Sequence, residues 1–573
     1  MSIFDSHKNR IRLIFSGLII FSLLIVARLY FLQIVHGVDY SDRAEHQYVS
    51  PTTNIFERGS IYFSNKDGSL LSAATLKSGY LVSLNPKKIQ DGGDVFTKLS
   101  SLLPINSESF YAKASKSTSA FEKISNHVSE ATANKITAEK IAGVEIQKEK
   151  WRYYPSNSIG ARTIGFVGFD STGTDLVGRY GLENYYEDTL KRDSNRVYVN
   201  FFAEIFTSIG KAISSDTDTE GDIVTSLEPT VQGYLDQKLT EVQQKYSSQV
   251  TGGIIIDPNT GEIYAMGLNP TFNLNDFSGE KDVSVFNNPL VEGLYEMGSI
   301  MKAITMAIGL DTDSVTANTT YNDRGSLTLN TMTLYNFDHK ARGVVDMQQV
   351  LNQSLNVGAA FVESKIGNEK YAEYMKNFGL GEETGIDLPA ENHGRLENLN
   401  SPRDIEYATA SFGQGISLTP IATVRALSAL ANGGKLIKPH LVKKINYKTG
   451  LFNNISYVNE AKQIIKKETS EEITRMLVNV VDVALANGKD KMEHYSIAAK
   501  TGTAQIAKPG AGYYTDRWLH SFFGYFPAYN PRFLVFLYTV EPKDVNYASQ
   551  TLTDPFMDIT KFLISYYDLP PDR

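Results

Sequence analysis

The chain has 573 residues, too many for one compact domain, and its 42% hydrophobic and 21% charged residues make a globular composition. Its 56 basic and 64 acidic residues leave a net charge of −8, which argues against a nucleic-acid partner that needs a basic face. Cysteine is absent, which excludes disulfides, cysteine nucleophiles and thiolate metal sites, and neither an HExxH zinc helix nor a GxxxxGK[ST] phosphate loop occurs.

In chain order, the first element is apolar. Residues 13–27 read LIFSGLIIFSLLIVA and continue as RLYFLQIV to Val35, enough to span a bilayer as a helix. Lys8, Arg10 and Arg12 precede this run, so the positive-inside bias places the first ten residues in the cytoplasm. No A-x-A-like cleavage site follows, so the reading is an uncleaved anchor over 1–37 and not a removed signal peptide. Everything after it is then expected outside the cytoplasmic membrane.

Residues 38–222 form the next expected domain, of mixed α/β character. Ser60-Ile61-Tyr62-Phe63 reads as a strand running into the turn Asn65-Lys66-Asp67-Gly68. The stretch 96–142 reads as helical, and 153–155 and 164–168 return to strand and turn. From 223 to 573 a further domain is expected. Ile223–Leu227 is a strand, and Pro229 opens a helix to about Gln244. Residues 253–257 and 262–266 flank the turn Pro258-Asn259-Thr260-Gly261 as a hairpin. Helical patterns over 300–310, 346–366 and 417–432 precede strands at 519–526 and 532–541 and a helix at 554–566. The fold class is therefore α+β or three-layer αβα, with an antiparallel sheet and helices grouped on it.

Three short motifs carry chemistry. In Ser299-Ile300-Met301-Lys302 the serine and lysine share one helix face. A serine hydroxyl needs a base to become a nucleophile, and a lysine can be that base only with a lowered pKa. Gly298 precedes and an apolar helix follows, which puts the serine at a helix N-terminus. The second motif, Ser354-Leu355-Asn356, comes 55 residues after Ser299 and offers a hydroxyl and a carboxamide for proton relay and amide binding. The third is Lys500-Thr501-Gly502-Thr503, behind the apolar strand Ile497-Ala498-Ala499, suited to docking an extended peptide and its carboxylate.

Each motif has a decoy. Ser208-Ile209-Gly210-Lys211 and Ser278-Gly279-Glu280-Lys281 repeat the first, Ser83-Leu84-Asn85 the second at a strand end, and Lys448-Thr449-Gly450 the third in a hairpin turn. Order and spacing select Ser299, Ser354 and Lys500, because SxxK, SxN and KTG in that succession are the active-site set of penicillin-interacting serine enzymes.

With these motifs the chain resembles the class B penicillin-binding proteins, monofunctional peptidoglycan DD-transpeptidases, from about Arg28 to the C-terminus. Arg58-Gly59-Ser60-Ile61-Tyr62, Asp67-Gly68 and Tyr180-Gly181-Leu182-Glu183 resemble the family's pedestal segments. Phe412-Gly413-Gln414-Gly415, Thr419-Pro420 and Asn432-Gly433-Gly434 resemble the middle of its transpeptidase domain. The resemblance implies a transmembrane anchor, a dimerisation-like pedestal and a penicillin-binding, serine β-lactamase-like domain. It also implies that Ser299 is acylated, that Lys302 takes its proton, and that Ser354 and Asn356 line the cleft. Lys500, Thr501, Gly502 and Thr503 would bind the substrate, with backbone N–H groups of Ser299 and Thr503 as the oxyanion hole.

No cofactor or metal is expected. The implied ligands are stem peptides ending in D-Ala-D-Ala and β-lactams. The implied partner is a glycan polymerase of the SEDS class, in septal wall synthesis at a bacterial cytoplasmic membrane. Met297 before Gly298 and Ala499 before Lys500 depart from the family's usual Pro and Gly. The alternatives are a serine hydrolase of β-lactamase or carboxypeptidase type, or a non-catalytic β-lactam sensor. A deacylating ExxLN glutamate is missing: Glu397-Asn398-Leu399-Asn400 is one residue too short.

Overall fold

The structure is a computed structural model that describes residue 21 and residues 56–173, 175–192, 219–510 and 512–573. The anchor expected over 1–37, Phe21 apart, and the decoy Ser208/Lys211 lie outside the described residues. Among the described residues no helix is long and apolar enough to cross a membrane. Two compact units emerge: one is made chiefly, among the described residues, of Ser78–Trp151, and the other joins Glu57–Lys77 to Arg152–Arg573.

The smaller unit corrects the helical reading of 96–142. Helices Gly92–Ser100, Ser107–Ala114 and Glu130–Ala138 are present, but Glu122–Val128 is a strand that pairs antiparallel with the end of the long strand Leu70–Leu84. Each helix starts where a short polar side chain takes up orphan N–H groups: Asp91, Asn106 and Ser129. Val82, Leu84, Leu99, Phe110 and Ile136 close the core between them. The decoy Ser83-Leu84-Asn85 ends that long strand, as its sequence suggests.

In the larger unit the strand Ile61–Ser64 pairs antiparallel with the start of Leu70–Leu84 and parallel with Gly221–Thr225. Gly221–Thr225 in turn pairs antiparallel with Val442–Tyr447. Gly59 permits this approach, since a Cβ there would fall on the carbonyl of Gly221. Beside it, the buried Glu183 carboxylate accepts from Arg58 Nε at 2.6 Å and Arg152 Nε at 2.6 Å, and Arg58 also pairs with Glu187 at 2.7 Å. The two segments Arg58–Tyr62 and Tyr180–Glu183, separate in sequence, are thus stitched together by one shared charge.

The dominant sheet of this unit has five antiparallel strands in the order Ala498–Ala507, Tyr513–Phe526, Phe533–Val540, Val250–Ile256, Ile263–Asn269. Its strands are apolar on both faces, the mark of a sheet covered on both sides. Phe522, Phe526, Phe533, Val535 and Leu537 pack with Val231, Leu235 and Leu239 of helix Pro229–Tyr246 and Phe556 and Leu563 of helix Thr553–Tyr566. The alternate residues Phe523, Tyr525, Phe536 and Tyr538 face the opposite core with Met301, Ile304 and Leu427. The result is the expected three layers, with the helix Met301–Asp311 inside the second helical layer.

One helical expectation fails at an informative place. The pattern over 346–366 is two helices, Met347–Asn352 and Asn356–Ile366, broken at Ser354 with φ of 53°. A side chain with a Cβ takes that left-handed conformation only at a cost. The break falls on the second motif.

Candidate active site

Ser299 lies in a single 3₁₀ turn, Gly298–Ile300, that leads into the helix Met301–Asp311. Gly298 has φ of 65°, and a Cβ there would come within 2.7 Å of the Thr503 carbonyl oxygen. Its N–H donates to the carbonyl of Gly413 at 3.2 Å, which ties the Phe412-Gly413-Gln414-Gly415 segment to the turn. Gly502 serves the same approach from the strand side: a Cβ would lie 2.8 Å from the Met297 carbonyl oxygen. A glycine just before the first motif and one within the third therefore let strand and turn touch through backbone.

Lys302 points inward from the first turn of that helix and is 1% exposed. Its Nζ donates to the Ser354 carbonyl at 2.5 Å and lies 3.2 Å from Ser354 Oγ. Lys500, 3% exposed on the edge strand Ala498–Ala507, donates to Ser354 Oγ at 3.0 Å and to its neighbour's carbonyl, Thr501, at 3.0 Å. Burial pushes the Lys302 ammonium well below the ordinary lysine range, and the charge of Lys500 pushes it further. Burial alone brings Lys500 down to about 7. These two buried amines share one hydroxyl, an arrangement in which an uncharged lysine is favoured.

The other motif residues divide. Asn356 opens the helix after Ser354, and its Nδ2 donates to the Tyr335 carbonyl at 2.8 Å. Thr503 Oγ1 accepts the N–H of Ala548 at 3.1 Å, which fixes the start of the short helix Ala548–Thr551 beside the strand. The Ser299 hydroxyl makes no hydrogen bond to a described residue. The three motifs meet through Lys302, Ser354 and Lys500, not through the serine of the first.

The decoys sit elsewhere. Lys448 stands at the turn between Val442–Tyr447 and Phe452–Asn454, facing Glu220 at 3.5 Å, and Ser278 lies in a 3₁₀ turn, Phe277–Gly279. Sequence reasoning missed several neighbours of the centre. Phe337 and Tyr547 are about half exposed, and their rings meet edge-on with centroids 5.9 Å apart. Phe337 comes two residues after the Tyr335 that binds Asn356, and Tyr547 immediately before the Ala548 that binds Thr503. Glu296, three residues before Ser299, accepts from the Tyr513 hydroxyl at 3.2 Å, and burial raises its carboxyl to about 7. Exposed aromatics and a lone glutamate carry no periodic signal, so only contacts reveal them. Among the described residues no cluster of three or more histidines and carboxylates could hold a metal.

A three-layer fold with SxxK at a helix start, SxN on a strained turn and KTG on the facing edge strand defines a serine acyltransferase of the penicillin-binding type. Residues 251–561 match the penicillin-binding protein transpeptidase domain, and residues 55–220 match the penicillin-binding protein dimerisation domain. The chain belongs to the class B penicillin-binding proteins. It is 31% identical over 564 residues to Stage V sporulation protein D of Bacillus subtilis, covering 96% of this chain and 84% of that one. It is 27% identical over 589 residues to the peptidoglycan D,D-transpeptidase FtsI homolog of Mesostigma viride, covering 98% and 95%. In fold it is similar to penicillin-binding protein 2X from Streptococcus thermophilus, with a TM-score of 0.72 and 19% identity over 90% of this chain and 81% of that one.

Proposed function

We propose that this chain crosslinks peptidoglycan as a serine D,D-transpeptidase and that Ser299 carries the acyl group. The observation that carries this reading is the convergence on Ser354 of Lys500 and of Lys302, which follows Ser299 by one turn. Neutral Lys302 takes the hydroxyl proton as Ser299 Oγ attacks the carbonyl of the penultimate D-Ala. The C–N bond then breaks, and Ser354 passes the proton to the departing amine of the terminal D-Ala. The acyl-serine is resolved by an amine of a second stem peptide, which restores the hydroxyl. The backbone N–H groups of Ser299 and Thr503 stabilise the oxyanion. Lys500, Thr501, Gly502 and Thr503 bind the donor's carboxylate and backbone, and Asn356 binds its amide. A β-lactam keeps its leaving group tethered, so its acyl-enzyme persists.

The apolar run and basic residues at the N-terminus support a single membrane span over 1–37, with the catalytic unit outside the cytoplasmic membrane. No glycan-polymerising motif is recognised between that run and the catalytic domain. A membrane polymerase of the SEDS class is therefore the proposed partner, at the division septum. The resemblance to a sporulation protein favours a second site of action, the wall of a developing spore. A fluorescent fusion followed through growth and sporulation separates the two by where it gathers.

The chemistry is tested with a fluorescent penicillin on the full-length chain in detergent. Label that survives denaturing electrophoresis should map to the peptide holding Ser299. Ser299→Ala should abolish it, Lys302→Ala nearly so, and Lys448→Ala should leave it intact. Persistent label on Ser299→Ala would overturn the assignment.

A further inference from the structure

The strained Ser354 turn is gripped from outside the three motifs. Its own backbone contributes two hydrogen bonds, from the Ser354 N–H to Leu351 at 3.3 Å and from the Leu355 N–H to Val350 at 3.0 Å. The segment from Asp323 to Arg342 brackets it on both sides. Arg342 Nε donates to Gln353 Oε1 at 2.7 Å, just before Ser354. After it, the Tyr335 carbonyl accepts from Asn356, and Asn336 Oδ1 accepts the N–H of Val357 at 3.2 Å. That N–H is one of the orphan donors of a first helical turn, which need an outside acceptor.

Asn336 is itself held from behind. Its Nδ2 lies 3.1 and 2.9 Å from the two oxygens of Asp323 and donates to the Lys340 carbonyl at 3.2 Å. Asp323 further accepts the N–H of Arg342 at 2.9 Å and of Gly325 at 3.4 Å. Asp323 and Asn336 are each 1% exposed. A buried carboxylate satisfied by N–H donors costs little to keep and much to disturb, so the pair is a rigid polar anchor.

We propose that Asn336, backed by Asp323, is a positioning residue for the acyl transfer. It holds the Ser354 turn where the Ser354 oxygens meet Lys302 and Lys500. Strain at Ser354 persists only while its surroundings enforce it, and Asn336 is the side chain that spans from the buried carboxylate to the helix start. The proposal rests on the reading of Ser299 as the acylated group. It predicts that loosening the turn slows the chemical step more than it weakens binding, because a shift of about 1 Å in a catalytic group can cost on the order of 100-fold.

The test uses the full-length chain in detergent, with the limiting rate of acylation by a fluorescent penicillin, the concentration at half that rate, and the melting temperature. Asn336→Leu should lower the limiting rate about 10- to 100-fold and change the half-rate concentration less than about threefold. Asn336→Asp, which sets a second carboxylate against Asp323, should fall as far. The exchange Asp323→Asn with Asn336→Asp keeps the net charge and an oxygen for Val357 but loses the donor to the Lys340 carbonyl, so it should recover the rate in part, to at least about threefold above Asn336→Asp. Thr419→Ala removes a helix cap (Thr419 Oγ1 accepts the N–H of Ala422) and serves as the stability control. It should lower the melting temperature without lowering the rate.

The proposal is overturned by an Asn336→Leu rate within twofold of the unmodified chain, or by an equal rate loss in Thr419→Ala. It is equally overturned by a well-folded exchange variant no faster than Asn336→Asp. If Asn336→Leu does not fold, Asn336→Asp and the exchange decide. Absence of label on the unmodified chain would instead overturn the Ser299 reading.

Discussion

Lys302 and Lys500 aim their ammonium groups at the same hydroxyl, Ser354 Oγ, from 3.2 and 3.0 Å, and both are buried. Two buried like charges beside one hydroxyl cannot both be comfortable, so the pair favours an arrangement with at least one neutral amine. That is the state a lysine needs in order to accept a serine proton.

Removing the Lys500 charge should therefore change how acylation depends on pH. Lys302 is lowered first by burial and then by Lys500, so Lys500→Ala relieves the second cause and admits water, which relieves part of the first. The Lys302 pKa rises, and at a given acid pH less of it is neutral. The acid limb of residual acylation should move to higher pH. A limb that stays in place or moves down would contradict the coupling.

The same burial has a price in stability. Lys500 is neutral in the folded chain above about pH 7 and would be charged in the unfolded chain up to its ordinary value of 10.5. The folded state is thus penalised below about pH 7, and the penalty fades as pH rises towards 10.5. Lys500→Met should slow acylation strongly yet raise the melting temperature at neutral pH, by about 1 °C for each kcal/mol recovered in a unit of this size. The gain should shrink when the scan is repeated near pH 10.

Gly502→Ala tests the backbone approach. Its Cβ would press on the Met297 carbonyl and on Ser521, forcing strand and turn apart beside Ser299. Acylation should fall by at least about 100-fold with the chain still folded. Retention of most of the rate, measured by penicillin labelling over time, would mean that the turn tolerates the displacement.

Glu183→Gln tests the buried charge cluster. It leaves the guanidinium groups of Arg58 and Arg152 buried with one fewer anion between them. Breaking such a network by one partner typically costs about 3–5 kcal/mol. Denaturant unfolding should show that loss. A variant as stable as the unmodified chain would show that the cluster is readily rehydrated.

Much of this protein was legible from its residues in a row. The short apolar, aromatic-rich runs at 519–526 and 532–541 and the turn Pro258–Gly261 specify strands within a few residues, because such runs bounded by turns suit a sheet covered on both faces. Order and spacing alone separated Ser299, Ser354 and Lys500 from their look-alikes at Ser278, Ser83 and Lys448. Tertiary structure decided what local pattern cannot carry. It broke the helical run 346–366 at Ser354, since contacts from Tyr335 and Asn336 outweigh helix propensity there. It made Glu122–Val128 a strand by pairing it with residues some forty positions away. Above all it brought Lys500 to Ser354 across 146 residues of chain and closed Lys302 and Lys500 away from water. A lysine becomes a base through desolvation and a neighbouring charge, and neither exists until the chain has folded around it.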